Sequence, residues 1–249
     1  MPQALPRYAN SVSQDKNQKM KLRITFLAFL LGAVVLSASA QPQLHVKSGI
    51  SAGSFFFKNA KGETEKNLQY LIGNYTAIGC DAHFGAHAIR SELGYRQAGA
   101  AQYLYKTKVS WNLKYIDLNA GYEYNYFRSK RIALGLGTAI NLGIMLQGEQ
   151  RTGSETYNVL KEKALREIDF GANAFTNAKV RMAEGLYLTL EYRYNVSMLN
   201  IETDKALPAQ TTRNQSHNFL AGIAISLNKA GKSAAQKTDA ENNTPKATP

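Results

Sequence analysis

Between Arg131 and Gln147 the chain reads RIALGLGTAINLGIMLQ, and every even position from Ile132 to Leu146 is apolar or threonine. The odd positions Ala133, Gly135, Gly137, Ala139, Asn141 and Gly143 are small or polar, and only Met145 departs from that rule. Successive side chains of a strand point to opposite faces, so one face here is greasy along its whole length. Strands in globular proteins average about 5–6 residues, whereas a tilted strand crossing a bilayer needs about 9–11. A run this long predicts a strand with lipid on one side and a filled or wet lumen on the other. The negative mean hydropathy of the whole chain speaks against a bundle of membrane helices. It does not speak against a barrel, in which half of each strand faces inward.

The chain begins with an address. Lys21 and Arg23 precede an apolar run over 24–36, and Ala38, Ser39 and Ala40 supply a small-residue cleavage pattern. This is the layout of a secretory signal peptide cleaved after Ala40. Position 41 is Gln rather than Cys, so a lipid anchor is not expected. Residues 1–19 are polar and fit no part of a signal, and translation is expected to begin at Met20. Four sections are therefore expected: an upstream extension over 1–19, a signal peptide over 20–40, an outer-membrane β-barrel over 41–227 and a disordered periplasmic tail over 228–249. The tail is Lys, Ala, Asn, Thr and Pro without periodicity.

Removal of residues 1–40 takes away Arg7, Lys16, Lys19, Lys21 and Arg23 against Asp15, which lowers the formal charge from +12 to +8. No block of like charge is interleaved with aromatics, so nucleic acid is not an expected partner. The single cysteine, Cys80, excludes an intramolecular disulfide and a thiolate-rich metal cluster.

Alternation picks out eight strands, near 44–57, 75–86, 88–98, 116–127, 131–147, 165–179, 186–200 and 217–227. Their apolar faces carry Leu44, Val46 and Ile50; Thr76, Ile78 and Cys80; Ile89, Leu93 and Tyr95; Ile116, Leu118 and Tyr122; Ile168, Phe170 and Ala172; Leu188, Leu190 and Tyr192; and Phe219, Ile223 and Ile225. Ahead of the fourth strand, Val109, Trp111, Leu113 and Tyr115 have the opposite parity. A β-bulge at Tyr115 and Ile116, or a strand start near Lys114, would each account for the flip.

Longer polar connections are expected at 58–74, 99–108, 148–164 and 201–216, and short turns near His87, over 128–130 and over 180–185. Alternating long and short connections with an even strand count are features of bacterial outer-membrane barrels. The fold class is thus all-β, an eight-stranded antiparallel transmembrane β-barrel of up-and-down topology, with both termini periplasmic. Tyr124, Tyr126 and Phe127 fall at one end of the barrel, and Tyr192, Tyr194 and 55–57 at the other, as an interfacial aromatic belt requires.

Several short motifs resemble those of the PorT-like outer-membrane β-barrel family of Bacteroidetes. They are YIDLNAGYEY from Tyr115 to Tyr124, Asp169-Phe170-Gly171, Tyr192-Arg193-Tyr194, Asn200-Ile201 and Arg213-Asn214. The resemblance covers most of residues 41–227. The chain departs from it at Asn119, where the family often has Pro, and at Leu227, beyond which it continues for 22 residues instead of ending. The resemblance implies the barrel fold, an outer-membrane location and, from the member that names the family, a part in protein secretion.

Little chemistry is expected. His83 and His87 lie four residues apart, about 13 Å along a strand, too far to grip one ion. Asp81 and His83 are same-face neighbours, but no nucleophile accompanies them and their strand end is a poor place for an acid–base site. No catalytic residue, metal ligand or cofactor is expected. The inward charges are more informative: Arg90, Glu92, Arg96, Asp117, Glu123, Asp169, Glu191 and Arg193 all fall on the lumen parity. An eight-stranded barrel is only wide enough for side chains to fill, and buried charges must be paired. The reading is a monomeric outer-membrane protein, in contact with lipid, its lumen closed by salt bridges, with a structural or interaction role at the cell envelope. The alternatives are an accessory component of a secretion system, with envelope or secretion proteins as partners, and a narrow small-solute channel.

Overall fold

The computed structural model describes residues 41–59, 61–65, 67–104, 106–203 and 210–227. The expected extension, signal peptide and tail lie outside the described residues.

Nine strands follow one another: β1 (Gln41–Lys58), β2 (Gln69–Phe84), β3 (His87–Leu104), β4 (Thr107–Arg128), β5 (Ile132–Thr152), β6 (Glu155–Asn158), β7 (Ile168–Ala183), β8 (Leu186–Ser197) and β9 (Thr211–Ser226). Eight of them form a ring in which each is antiparallel to its neighbours, β1 to β5 in order, then β7, β8 and β9, with β9 pairing back onto β1. The ninth, β6, folds back on the end of β5. The architecture is an up-and-down barrel, all-β among the described residues. Below, the end that carries the tight turns at 85–86, 129–131 and 184–185 is called the lower end.

The opening run becomes β5, and its two faces behave as the alternation predicts. Ile132, Leu136, Ile140 and Leu146 are exposed on the outer wall. On the inner wall, Gly143 is paired between Asp117 and Asp169, and Gly137 between Glu123 and Phe175. A Cβ on Gly137 would lie 2.1 Å from the Phe175 ring, and one on Gly143 would lie 2.9 Å from Asp117 Oδ1. The glycines are the space into which large neighbours reach.

The phase flip has a different origin from either sequence expectation. β4 is one strand of 22 residues whose parity is unbroken from Val109 to Asn125, so Val109, Leu113 and Tyr115 face inward in line with Asp117. The bulge sits across from it, on β5: Lys114 pairs with Gln147 but Tyr115 pairs with Met145, leaving Leu146 as the extra residue. Above this level the wall is inverted. Its interior is an apolar cluster of Phe55, Leu113, Tyr115, Met145, Val159 and Ile201, and Trp111 packs against it. Lys108 is exposed on the outside. Phe55 therefore belongs to this core rather than to an outer aromatic belt.

The connection expected at 99–108 is mostly strand. β3 runs to Leu104 and β4 starts at Thr107. Ala98, Gly99, Ala100 and Ala101 carry no alternation of polarity, yet all are buried. Gly99 has a φ of 135°, and a Cβ there would lie 1.8 Å from the Trp111 carbonyl oxygen, so this close crossing needs glycine.

Candidate functional site in the barrel lumen

The lower half of the lumen is filled by charge. β1 contributes Lys47, β3 Arg90, β7 Lys179 and β8 Arg193; facing them are Asp81 from β2, Glu92 from β3, Glu123 from β4 and Glu191 from β8. Alternation alone places each of them inside, because each is flanked in sequence by outward neighbours such as Val46, Ile89 or Leu190.

These eight side chains form one network. Arg90 donates from Nε to Asp81 Oδ1 at 2.9 Å, from Nη2 to Glu123 Oε2 at 2.5 Å and from Nη1 to Glu191 Oε2 at 2.7 Å. Arg193 donates to Glu191 Oε1 from Nε at 2.8 Å and to Glu92 Oε2 from Nη2 at 2.6 Å. Lys47 Nζ lies 2.7 Å from Glu191 Oε2 and also pairs with Glu92. Lys179 Nζ joins Asp81 at 3.0 Å to Glu123 at 3.1 Å. Four cations thus face four carboxylates, and the network is neutral. His45 sits at its edge with Nε2 2.9 Å from Glu92 Oε1. Arg90 also lies over the Phe175 ring at 4.4 Å, and Arg193 over Tyr75 at 5.3 Å.

Asparagines lie above the network. Asn119 Oδ1 accepts from Asn141 Nδ2 at 3.1 Å and Asn173 Nδ2 at 3.0 Å, while Asn119 Nδ2 donates to the Tyr75 hydroxyl at 3.2 Å. A second, smaller charge cluster holds Arg96, Asp117 and Asp169. Arg96 grips Asp117 with Nε at 2.6 Å and Nη2 at 3.2 Å. The apolar cluster closes the upper end.

All eight residues singled out in the sequence, Arg90, Glu92, Arg96, Asp117, Glu123, Asp169, Glu191 and Arg193, are buried in the lumen. Five of them meet in the lower network, and Arg96, Asp117 and Asp169 stand apart from it. Sequence reasoning missed Lys47, Lys179 and His45 as members. Their signal was present in the parity opposite to Val46 and Val180, but single charges in otherwise mixed stretches do not stand out. Asp81, weighed only as a partner for His83, is bound instead to Arg90 and Lys179. His83 Nε2 lies 3.3 Å from Gln43 Oε1, near the lower opening. His87 is on the outer wall against Tyr122 and Tyr124, because the turn between the two histidines places them on opposite faces.

Buried charges of this kind have one chemical use evident from their contacts. They neutralise and hold one another in a buried interior where an unpaired ion is strongly disfavoured. Side chains occupy the lumen at every level from Gln43 and Asn125 to Phe55 and Leu113, all of them nearly inaccessible to solvent.

No protein-family model matches the chain, and no curated protein matches it in sequence. Among solved structures it is similar to Neisserial surface protein A, with 12% identity, a TM-score of 0.44 and coverage of 74% of this chain and 97% of that one. It is similar to the outer membrane protein OprG from Pseudomonas aeruginosa, at 8% identity and a TM-score of 0.42, with 76% and 98% covered. The attachment invasion locus protein Ail of Yersinia pestis matches at 9% identity and a TM-score of 0.38, with 74% and 99% covered. The likeness goes no further than the barrel arrangement, which the strand pairings establish independently.

Proposed function

We propose that the chain is an integral outer-membrane β-barrel plugged by its own charges, with a structural or interaction role at the cell envelope. The observation that carries the reading is the inside-out polarity of the lower wall. Ile78 is 56% exposed and Ile140 58%, while Arg193 is completely buried. A soluble barrel would bury the isoleucines and expose the arginine; a bilayer reverses both preferences.

The height of the apolar belt fits a membrane. On β4 it runs from Ile116 to Tyr126, bounded by Lys114 above and Arg128 below, close to the roughly 9–11 residues a tilted strand needs. Tyr122, Tyr124, Tyr126 and Phe127 are exposed at its lower edge. Near the other edge His217 packs among Tyr70, Tyr192 and Tyr194, with ring centroids 5.6, 6.1 and 4.9 Å away. Amphipathic rings favour both interfaces. The tight turns and both barrel termini then face the periplasm, and the long connections and the inverted upper wall stand outside. The neutral, filled lumen favours a plug over a solute path.

Isolation of outer membranes tests the reading. The mature protein is expected in that fraction, with a gel mobility that changes on boiling; recovery in the soluble periplasm would overturn it. Planar bilayers are expected to show no steady conductance.

One observation supports the PorT-like resemblance as a second reading, and with it an accessory role in secretion. Separate short motifs meet in space: Asn214 Nδ2 donates to the Tyr115 hydroxyl at 3.1 Å and to Asp169 Oδ2 at 2.9 Å, beside Asp117. Co-purification of a stable secretion complex from outer membranes would favour this reading; a barrel isolated alone would count against it.

A further inference from the structure

The outer wall carries two cations side by side near its upper edge. Where β1 pairs with β9, Phe56 is opposite Arg213 and Lys58 is opposite Thr211. Lys58 and Arg213 are therefore diagonal neighbours on one face, and both are exposed. Lys58 Nζ lies 5.5 Å from the centre of the Phe56 ring, which draws the ammonium back towards the level of Arg213. Neighbouring like charges on a sheet repel, and among the described residues no carboxylate forms an ion pair with either cation. The described acids nearest to them in the chain are engaged elsewhere: Glu63 accepts from Asn59, Glu65 from the Asn67 amide and Glu202 from Thr212.

Below the pair lies a shelf of rings and polar tips. Tyr70 on β2 and His217 on β9 meet across β1, where the outward residue is only Ala52; the Tyr70 hydroxyl is 3.4 Å from His217 Nε2. His217 Nδ1 is 2.8 Å from the Tyr192 hydroxyl, and the Tyr194 hydroxyl donates to Gln215 Oε1 at 3.3 Å. Lower still the same wall is apolar, with Ile50, Phe219 and Ile223 all exposed. From top to bottom the face thus presents paired cations, then hydroxyls and rings, then hydrocarbon. Phosphate is matched by the first, a polar headgroup at the interface by the second, and acyl chains by the third. Free phosphate would use only the uppermost of these three layers.

We propose that Lys58 and Arg213 bind the phosphate of an outer-leaflet lipid, whose headgroup rests on the shelf of Tyr70, His217, Tyr192 and Tyr194. The assignment rests on the membrane setting proposed above. The bound phosphate offsets the repulsion between the two cations and ties one lipid to the β1–β9 seam.

The test is native mass spectrometry of the mature barrel in dodecyl maltoside, titrated with bisphosphorylated lipid A or with the same lipid stripped of its phosphates. The phosphorylated form is expected to bind more tightly. Lys58→Gln and Arg213→Gln should each weaken it about fivefold, and together about thirtyfold. Lys114→Gln removes a cation from the same edge on β4, where Lys114 donates to Gln147, and should leave binding unchanged. Equal binding of the two lipids, unweakened binding by the double variant, or an equal loss in Lys114→Gln would each overturn the assignment. So would displacement of the lipid by an equal concentration of inorganic phosphate, which would mark a site for the free ion. Insertion into phosphatidylcholine vesicles, read by gel mobility, checks the membrane setting separately. A barrel that inserts there but lacks these differences overturns the phosphate site alone; one that does not insert overturns both.

Discussion

Glu191 is the most connected carboxylate of the plug, and its replacement by glutamine is the sharpest test of how the lumen is held. Its two oxygens meet Lys47 at 2.7 Å, Arg90 at 2.7 Å and Arg193 at 2.8 Å, all in a nearly solvent-free interior. Glu191→Gln keeps the shape and leaves four cations against three carboxylates. Breaking a buried ion pair by removing one partner costs about 3–5 kcal/mol. Each of the three cations retains another carboxylate, Glu92 for Lys47 and Arg193, and Asp81 and Glu123 for Arg90. The expected loss is therefore at the lower limit, about 3 kcal/mol. Adding Lys47→Met restores neutrality at three against three, so the double variant should regain at least about 1 kcal/mol relative to the sum of the single losses. Urea unfolding in lipid vesicles, followed by fluorescence of Trp111, the only tryptophan, and by gel mobility, measures all three variants. A Glu191→Gln loss within about 0.5 kcal/mol, the range of an ordinary surface change, would refute the reasoning. So would strict additivity in the cycle. Glu191→Lys should prevent folding; a folded Glu191→Lys barrel with a new conductance would favour the channel reading.

Other parts of the structure make their own demands. Ile140→Arg, placed on the outer belt, should cost about 2–4 kcal/mol in vesicles if that belt lies in the bilayer, and close to nothing if it faces water; vesicle unfolding distinguishes the two. Leu113→Ala should cost about 2–5 kcal/mol by opening a cavity in the apolar cap, and acrylamide should quench Trp111 more strongly as the cap loosens. Gly99→Ala should fail to refold or refold in low yield, since the added carbon would lie 1.8 Å from a backbone oxygen; normal refolding by gel shift would show that this strand crossing is more tolerant than its geometry.

The wall of the barrel was legible because its signal repeats every second residue. Ile132 to Leu146 declare their face without any knowledge of neighbours, and so do the charges at Arg90, Glu92 and Glu191. The identity of the partners was not legible. Lys47 and Glu191 are 144 positions apart and meet only once β9 has closed on β1. The upper end is hidden in the sequence for a related reason. Val109, Leu113 and Tyr115 resemble an outward face, and nothing local reveals that the lumen changes from charged to apolar at their level. The flip at Tyr115 and Ile116 fits a bulge or a strand start on β4 equally well in sequence, and the extra residue at Leu146 shows only once β5 pairs with β4. At residues 98–101 the side chains are too small to carry a polarity pattern, although their packing is tight.

The inversion of the wall near Leu146 also fixes how deep the protein can sit. In the proposed membrane setting, sinking by one residue pair would draw Lys114 and Gln147 towards hydrocarbon, while rising would strand Leu146 and Ile116 in water. Tilting lowers one side while lifting the other and meets both penalties together. The barrel carries its own waterline, set by a single extra residue, so its outer rim stands at a constant height above the lipid whatever that rim engages.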